Sequence, residues 1–144
     1  MSAADKYKNP KLTVDILIEL DHAPGQLVFI ERKNPPLGLA LPGGFVDEGE
    51  FVADAAVREA KEETGLDIEL VELFHVYSDP ARDPRGHSVA IVYVATASGE
   101  PVAGDDAAAV IVTDPDQSPP LIFDHGKILA DYIARRRGAA RIAG

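Results

Sequence analysis

The 144-residue chain contains no cysteine, which excludes disulfides, cysteine-based zinc and iron–sulfur sites and thiol nucleophiles, and agrees with a reducing compartment. It has no apolar run near the roughly 20 residues that cross a bilayer, and residues 1–10 are polar, without a signal-peptide core. These lacks favour a cytoplasmic chain with no membrane partner. Basic residues are the minority: 14 Lys and Arg against 24 Asp and Glu, a formal net charge of −10. A nucleic-acid binder needs basic patches to displace counterions, so nucleic acid is not expected as a partner. Internal repeats, low-complexity tracts and a linker between two cores are also missing.

What is present is enough for one core. Hydrophobic residues make up 46% of the chain, and the length suits one compact domain over 1–144, with 1–10 and 138–144 as flexible ends. Alternating β-branched and polar residues predict strands over 12–20 and 26–31, joined by a turn at Pro24-Gly25 into a hairpin. Pro42-Gly43-Gly44 reads as a sharp chain break that lets the backbone approach a ligand. Helical periodicity covers 51–64, with Ala53, Val57, Ala60 and Thr64 on one apolar face and Gly65 as a left-handed cap. Further strands are predicted over 68–77, 88–97 and 109–113. A final helix follows Asp124, read as its cap, with a stripe of Ile128, Leu129, Tyr132 and Ile133. Strands mixed with two helices imply an α+β domain, a mixed β-sheet flanked by helices.

The acidity is concentrated. Nine of the acidic residues lie between Asp47 and Glu69, opposed there only by Arg58 and Lys61. On a helix advancing about 100° per residue, with Glu59 at zero, Glu63 lies near +40° and Glu62 near −60°. The apolar stripe centres near +130°, so the carboxylates have a side to themselves. Three Glu on a helix are more often a solvated face than a site. The alternative is a hard divalent cation, Mg²⁺ or Mn²⁺, which turns their mutual repulsion into attraction.

The residues around the helix settle which reading to pursue. The 23 residues from Gly44 to Leu66, GFVDEGEFVADAAVREAKEETGL, resemble the Nudix hydrolase signature G-x5-E-x7-R-E-U-x-E-E-x-G-U, where U is bulky and aliphatic. Gly44, Glu50, Arg58, Glu59, Glu62, Glu63 and Gly65 all match, and Ala60 is smaller than the usual U residue. The resemblance implies an α/β/α sandwich and hydrolysis of a nucleoside diphosphate linked to another moiety. It implies metal binding by Glu59, Glu63 and the Gly43 carbonyl, with Glu62 a further ligand or proton acceptor. Gly44, Glu50, Arg58 and Gly65 would act structurally.

Outside the signature, YSDPARDPRGH (77–87) and LIFDHGKIL (121–129) are similar to segments of short ADP-ribose pyrophosphatases, as is Pro80, 15 residues beyond Gly65. The likeness covers about 28–129. It implies cleavage of ADP-ribose to AMP and ribose 5-phosphate, with Mg²⁺ as cofactor, by a homodimer. Alternatives are another nucleotide substrate (NADH, an oxidised dNTP, a dinucleoside polyphosphate) or a non-catalytic ligand-sensing domain. Arg82 and Arg85 either bind substrate or hold their loop by pairing with Asp79 or Asp83. Arg32 either reaches a phosphate or is an exposed strand-end residue. Asp105 and Asp106 fall where related enzymes place a catalytic loop carboxylate, against the ordinary reading as turn residues. His87 reads as a capping or packing residue.

Overall fold

The computed structural model describes residues 7–104 and 106–138. The Asp105 reading and the terminal stretches 1–6 and 139–144 therefore lie outside the described residues. Strand β1 (Lys11–Leu20) is followed by β2 (Leu27–Arg32), β3 (Leu39–Ala40) and β4 (Gly43–Phe45). Helix α1 (Val52–Thr64), β5 (Glu69–Tyr77), β6 (Ser88–Ala97), β7 (Ala107–Thr113), a 3₁₀ turn (Pro115–Gln117) and helix α2 (His125–Arg136) complete the order. No helix among the described residues is long and apolar enough to cross a membrane.

All seven strands form one mixed sheet. The path is β3-β2-β1-β6-β5, with β4 also pairing β1 and β7 pairing β2. β1 and β6 run parallel over their full length, from Lys11 beside Ser88 to Leu20 beside Ala97. The other pairs are antiparallel. The expected β1–β2 hairpin exists only at its turn end, where Glu19 faces Leu27. Further along, β1 takes β4 and β6 as its neighbours.

The two-residue period of β1 assigns its side chains to two layers. Val14, Ile16, Ile18 and Leu20 pack with Ala55, Ala56 and Ala60 of α1. Leu17 packs on the opposite face with Phe29, Phe74, Tyr77 and Val92, and with Ile128, Leu129 and Tyr132 of α2. The sheet lies between the helices, the α/β/α sandwich that the signature implied. Buried Thr13 and Asp15 share the parity of Leu17, so one end of that apolar layer is polar.

Two local expectations need correction. Gly43 and Gly44 are not a sharp turn: they are extended residues of β4, facing Asp15 and Val14 of β1. What requires glycine there is closeness. A Cβ on Gly43 would overlap the Val14 carbonyl, and one on Gly44 would lie 2.5 Å from the Glu59 carboxylate. The apolar face of α1 is also displaced from its expected position. Val57 is 38% exposed, whereas Ala55, Ala56, Ala60, Glu63 and Thr64 are buried. That face centres near +60° on the scale above, with Glu63 inside it. The carboxylates do not have a side to themselves, because α1 turns one of them into the protein. The left-handed cap at Gly65 is as expected, with φ of 72°.

Two glycine substitutions should separate close packing from open space. Gly43→Ala should cost about 1–3 kcal/mol, since the β1–β4 pair must shift to admit the methyl. Gly126→Ala, in the first turn of α2 with nothing near its Cβ position, should be neutral or add up to about 1 kcal/mol. Urea unfolding of the two variants measures both.

Candidate active site

The signature segment is organised around one guanidinium. Glu50 lies in the loop before α1, where its Oε1 accepts the Asp47 N–H at 3.0 Å. Arg58, two turns into α1, donates to both Glu50 oxygens, from Nε at 2.7 Å and Nη2 at 2.9 Å. Nη2 also reaches the Phe45 carbonyl at 3.1 Å, joining helix, loop and β4. Nη1 donates to Glu59 at 2.9 Å and to Glu62 at 3.2 Å. The hydrogen bonds from Arg58 hold the Glu50 carboxyl down at about 2, and Glu50 in turn raises Arg58 above its ordinary value.

The other two matched carboxylates answer to burial. Burial raises Glu59 despite the opposing Arg58, with the nearby Glu62 and Asp47 charges adding to the rise. Glu63 is 5% exposed, and its Oε1 accepts the Gly43 N–H at 2.8 Å. Burial pushes it up to about 8; the Gly43 N–H opposes this, while Glu59 and Asp15 reinforce it.

Glu59 and Glu63 line a cavity of about 400 Å³, with Gly43, Gly44, Asp106 and the arginines below also in its wall. Glu62 is outside that wall, on the exposed side of α1. Among the described residues, no three carboxylates or imidazoles stand together as a formed metal cluster. The donor chemistry nevertheless fits a hard divalent cation: carboxylate oxygens of half-buried Glu59 and buried Glu63, beside a backbone that comes close because glycine permits it.

All three arginines singled out from the sequence reach the cavity, each with its own anchor. Arg32 donates from Nε to the Pro36 carbonyl at 2.7 Å and lies 5.4 Å from the Phe123 ring. Arg85 pairs with Asp83 at 2.8 Å, which keeps the Asp83 carboxyl low although burial pushes it up. Its guanidinium lies between the rings of Phe45 and Phe123, at 5.6 and 5.3 Å. Arg82 is buried, with Nε and Nη2 on Asp124 at 2.9 and 2.7 Å and Nη1 on Ser88 at 2.8 Å. Its partner is thus Asp124 rather than Asp79 or Asp83. The same pairing corrects the capping expectation: Asp124 occupies the N-cap position of α2 but makes no side-chain cap bond. Asp106 accepts from Asn34 Nδ2 at 3.1 Å, and His87 Nε2 lies 3.1 Å from the Ser78 carbonyl.

Sequence reasoning missed Asp15, His125 and Phe123 as cavity residues. A charged residue inside LTVDILIEL, on the parity of Leu17, was a readable signal. His125 Nδ1 accepts the Leu41 N–H at 3.0 Å, a contact across 84 residues that no local pattern announces. Phe123 has a φ of 56°, uncommon for a bulky residue, which no sequence pattern announces.

Known proteins resemble this chain over most of its length. The pattern of the NUDIX domain matches residues 9–132. The ADP-ribose pyrophosphatase of Methanocaldococcus jannaschii is 47% identical over 135 residues, 92% of this chain and 78% of that one. An ADPR responsive transcriptional repressor of Acinetobacter baylyi is 31% identical over 94% of this chain, which spans 58% of the repressor. Among solved structures, the NUDIX domain of Shewanella oneidensis NrtR, complexed with ADP ribose, superposes with a TM-score of 0.78 at 28% identity. The match covers 96% of this chain and all of that domain.

The low Glu50 value has a direct consequence for acid stability. Its folded pKa lies below the ordinary 4.5, so its contribution is present above pH 4.5 and is lost as pH falls toward 2. Glu50→Gln should therefore lower Tm at pH 6, and the gap to the unaltered protein should narrow between pH 4.5 and 2. Thermal melts across that range read it out.

Proposed function

From the premise that this chain belongs to the NUDIX family and is a Nudix hydrolase, we propose that it hydrolyses ADP-ribose to AMP and ribose 5-phosphate with Mg²⁺. One observation carries the reading. The half-buried Glu59 and buried Glu63, electrostatically stressed carboxylates, face a cavity with arginines in its wall, which can hold a diphosphate only if a cation intervenes. The M. jannaschii relative bears the name of that activity.

In this reading Glu59, Glu63 and the Gly43 carbonyl hold the cation, Mg²⁺ or Mn²⁺, with Glu62 as a further ligand. Bound there, it supplies Lewis-acid polarisation of the phosphoryl oxygens. Arg58 fixes the rotamers of Glu59 and Glu62, and Gly43 N–H fixes that of Glu63. Arg32 and Arg85 present positive charge to the diphosphate, and Arg82 braces the wall through Asp124. Water attacks one phosphorus, the bridging P–O bond breaks, and the proton passes to a carboxylate. Asp106, in the cavity wall, and Glu62, outside it on the exposed side of α1, are acceptors the sequence pointed to.

A homodimer in the cytoplasm is part of the same proposal. The terminal strand β5 exposes Val71 at 59%, Leu73 at 56% and Val76 at 41%. An apolar row on a sheet edge is a surface that a second copy can cover. Sedimentation should give twice the 15.4 kDa chain mass, and Leu73→Lys should shift the species toward monomer.

Glu63→Gln should reduce kcat by orders of magnitude with circular dichroism unchanged, and should abolish the rise in Tm that Mg²⁺ or Mn²⁺ gives the unaltered protein. Near-normal turnover in that variant contradicts the assignment. A hydrolysis panel of ADP-ribose, NADH, oxidised dGTP and diadenosine polyphosphates tests the substrate, with ADP-ribose expected first. Tight ADP-ribose binding without turnover of any member would favour the ligand-sensing reading, which the likeness to the A. baylyi repressor supports.

A further inference from the structure

The proposed reaction leaves one buried imidazole without a task. His125, 4% exposed, stands with Asp15, Arg82 and Ser88 on the polar floor of the cavity. The packing of α2 on the sheet is carried by Ile128, Leu129 and Tyr132. His125 instead makes a polar connection to the chain that leads into β4. The Leu41 N–H donates to its Nδ1 at 3.0 Å. Pro42 has no N–H, so the segment 41–43 has two backbone donors, and His125 and Glu63 accept one each.

The pairing of β4 with β1 decides what this connection controls. Ile16 N–H donates to the Pro42 carbonyl, and Val46 N–H to the Leu12 carbonyl. Bonded and non-bonded positions alternate along an antiparallel pair, so Gly44 opposite Val14 is bonded and Gly43 opposite Asp15 is not. The N–H and C=O of Gly43 therefore face away from β1, and among the described residues no other strand pairs with β4. The N–H meets Glu63, and the carbonyl on the same side is left for a ligand.

His125 approaches Gly43 by two routes. One is Leu41, two residues earlier in the chain. The other is Asp15, whose Oδ1 lies 2.5 Å from the position a Gly43 Cβ would take. With Nδ1 accepting, the ring hydrogen is on Nε2, 3.4 Å from Asp15 Oδ2. Removing the ring would leave a buried Leu41 N–H without its acceptor, and the segment would have to move to find another.

We infer that His125 is a positioning residue: by holding the Leu41 N–H it fixes where the Gly43 carbonyl stands for the cation. It touches neither cation nor substrate. The inference rests on the reading above that this carbonyl is a metal ligand.

Mn²⁺ binding tests it without turnover. Titrations followed by the electron paramagnetic resonance of the free ion are run well below the Tm of each protein. His125→Ala should weaken Mn²⁺ binding about tenfold or more, as loss of a partner behind a metal ligand typically does. His125→Asn, whose Oδ1 can accept where Nδ1 does, should recover binding to within about threefold of the unaltered protein. Ile128→Val trims the same helix and leaves the Leu41–His125 bond in place, so it should bind normally. Unchanged binding in His125→Ala, no recovery in His125→Asn, or equal weakening in Ile128→Val overturns the inference. Should His125→Ala fail to fold, NMR of the unaltered protein decides: Mg²⁺ should shift the Leu41 amide and His125 Nδ1 resonances, and unmoved resonances overturn the inference. An unaltered protein that binds no Mn²⁺ would contradict the cation reading itself, and the inference with it.

Discussion

The site depends on the way one guanidinium divides its carboxylates. Arg58 has enough donors to serve both Glu50 oxygens from one edge and still reach Glu59 and Glu62 with Nη1. Without it, the acidic residues of this segment would meet almost no opposing charge, and Glu59 and Glu62 of α1 would repel Glu50 and Asp47 of the loop that precedes the helix. Lysine could not substitute, because an ammonium lacks the fixed fork that grips Glu50 in two places. The guanidinium stabilises the outer carboxylates and leaves Glu63 to the interior, where Gly43 N–H is its hydrogen-bond donor. The helix therefore carries carboxylates of two kinds: Glu62, solvated and neutralised, and Glu63, buried and awaiting charge, with Glu59 between them.

Much of this arrangement was legible in the sequence. Strand periodicity located β1, β2, β5, β6 and β7 to within a residue or two but not the short β3 and β4, and the spacing of Glu50, Arg58, Glu59, Glu62 and Glu63 identified the signature. The direction in which α1 faces was not legible. Ala53 and Val57 fit the helical period as well as Ala56 and Ala60 do, and alanine-rich turns carry too little hydrophobic contrast to choose between them. The sheet makes the choice, because Val14, Ile16 and Ile18 pack with Ala55, Ala56 and Ala60. The Gly43-Gly44 pair was read as a turn for a related reason. Glycine marks special backbone in either case, and only the neighbouring strand shows that the constraint is distance rather than dihedral angle.

The cavity floor was the least visible part. Asp15, Arg82, Ser88, Asp124 and His125 come from three segments more than 100 residues apart at the extremes, and no local pattern joins them. Arg82 and Asp124 each had a local explanation, loop pairing and helix capping, that their real partnership displaced. A buried bidentate ion pair between a loop and a helix start fixes both in position, at the cost of desolvating each charge.

The parallel pairing of β1 with β6 bears on the order in which the molecule can be built. Residue 13 finds its strand partner at residue 90, and the polar floor closes only when residues 124 and 125 arrive. During synthesis, α1 leaves the ribosome before the strand that flanks β1 and before the helix that covers the opposite layer. Its alanine face has only β1 and β4 to rest on, and its acidic residues are already complete. A chain of this topology folds through distant contacts, which makes it slower than its modest length suggests. The cavity wall draws on residues as late as Phe123 and His125, so a chain interrupted before them would carry the whole signature and yet have no complete cavity behind it.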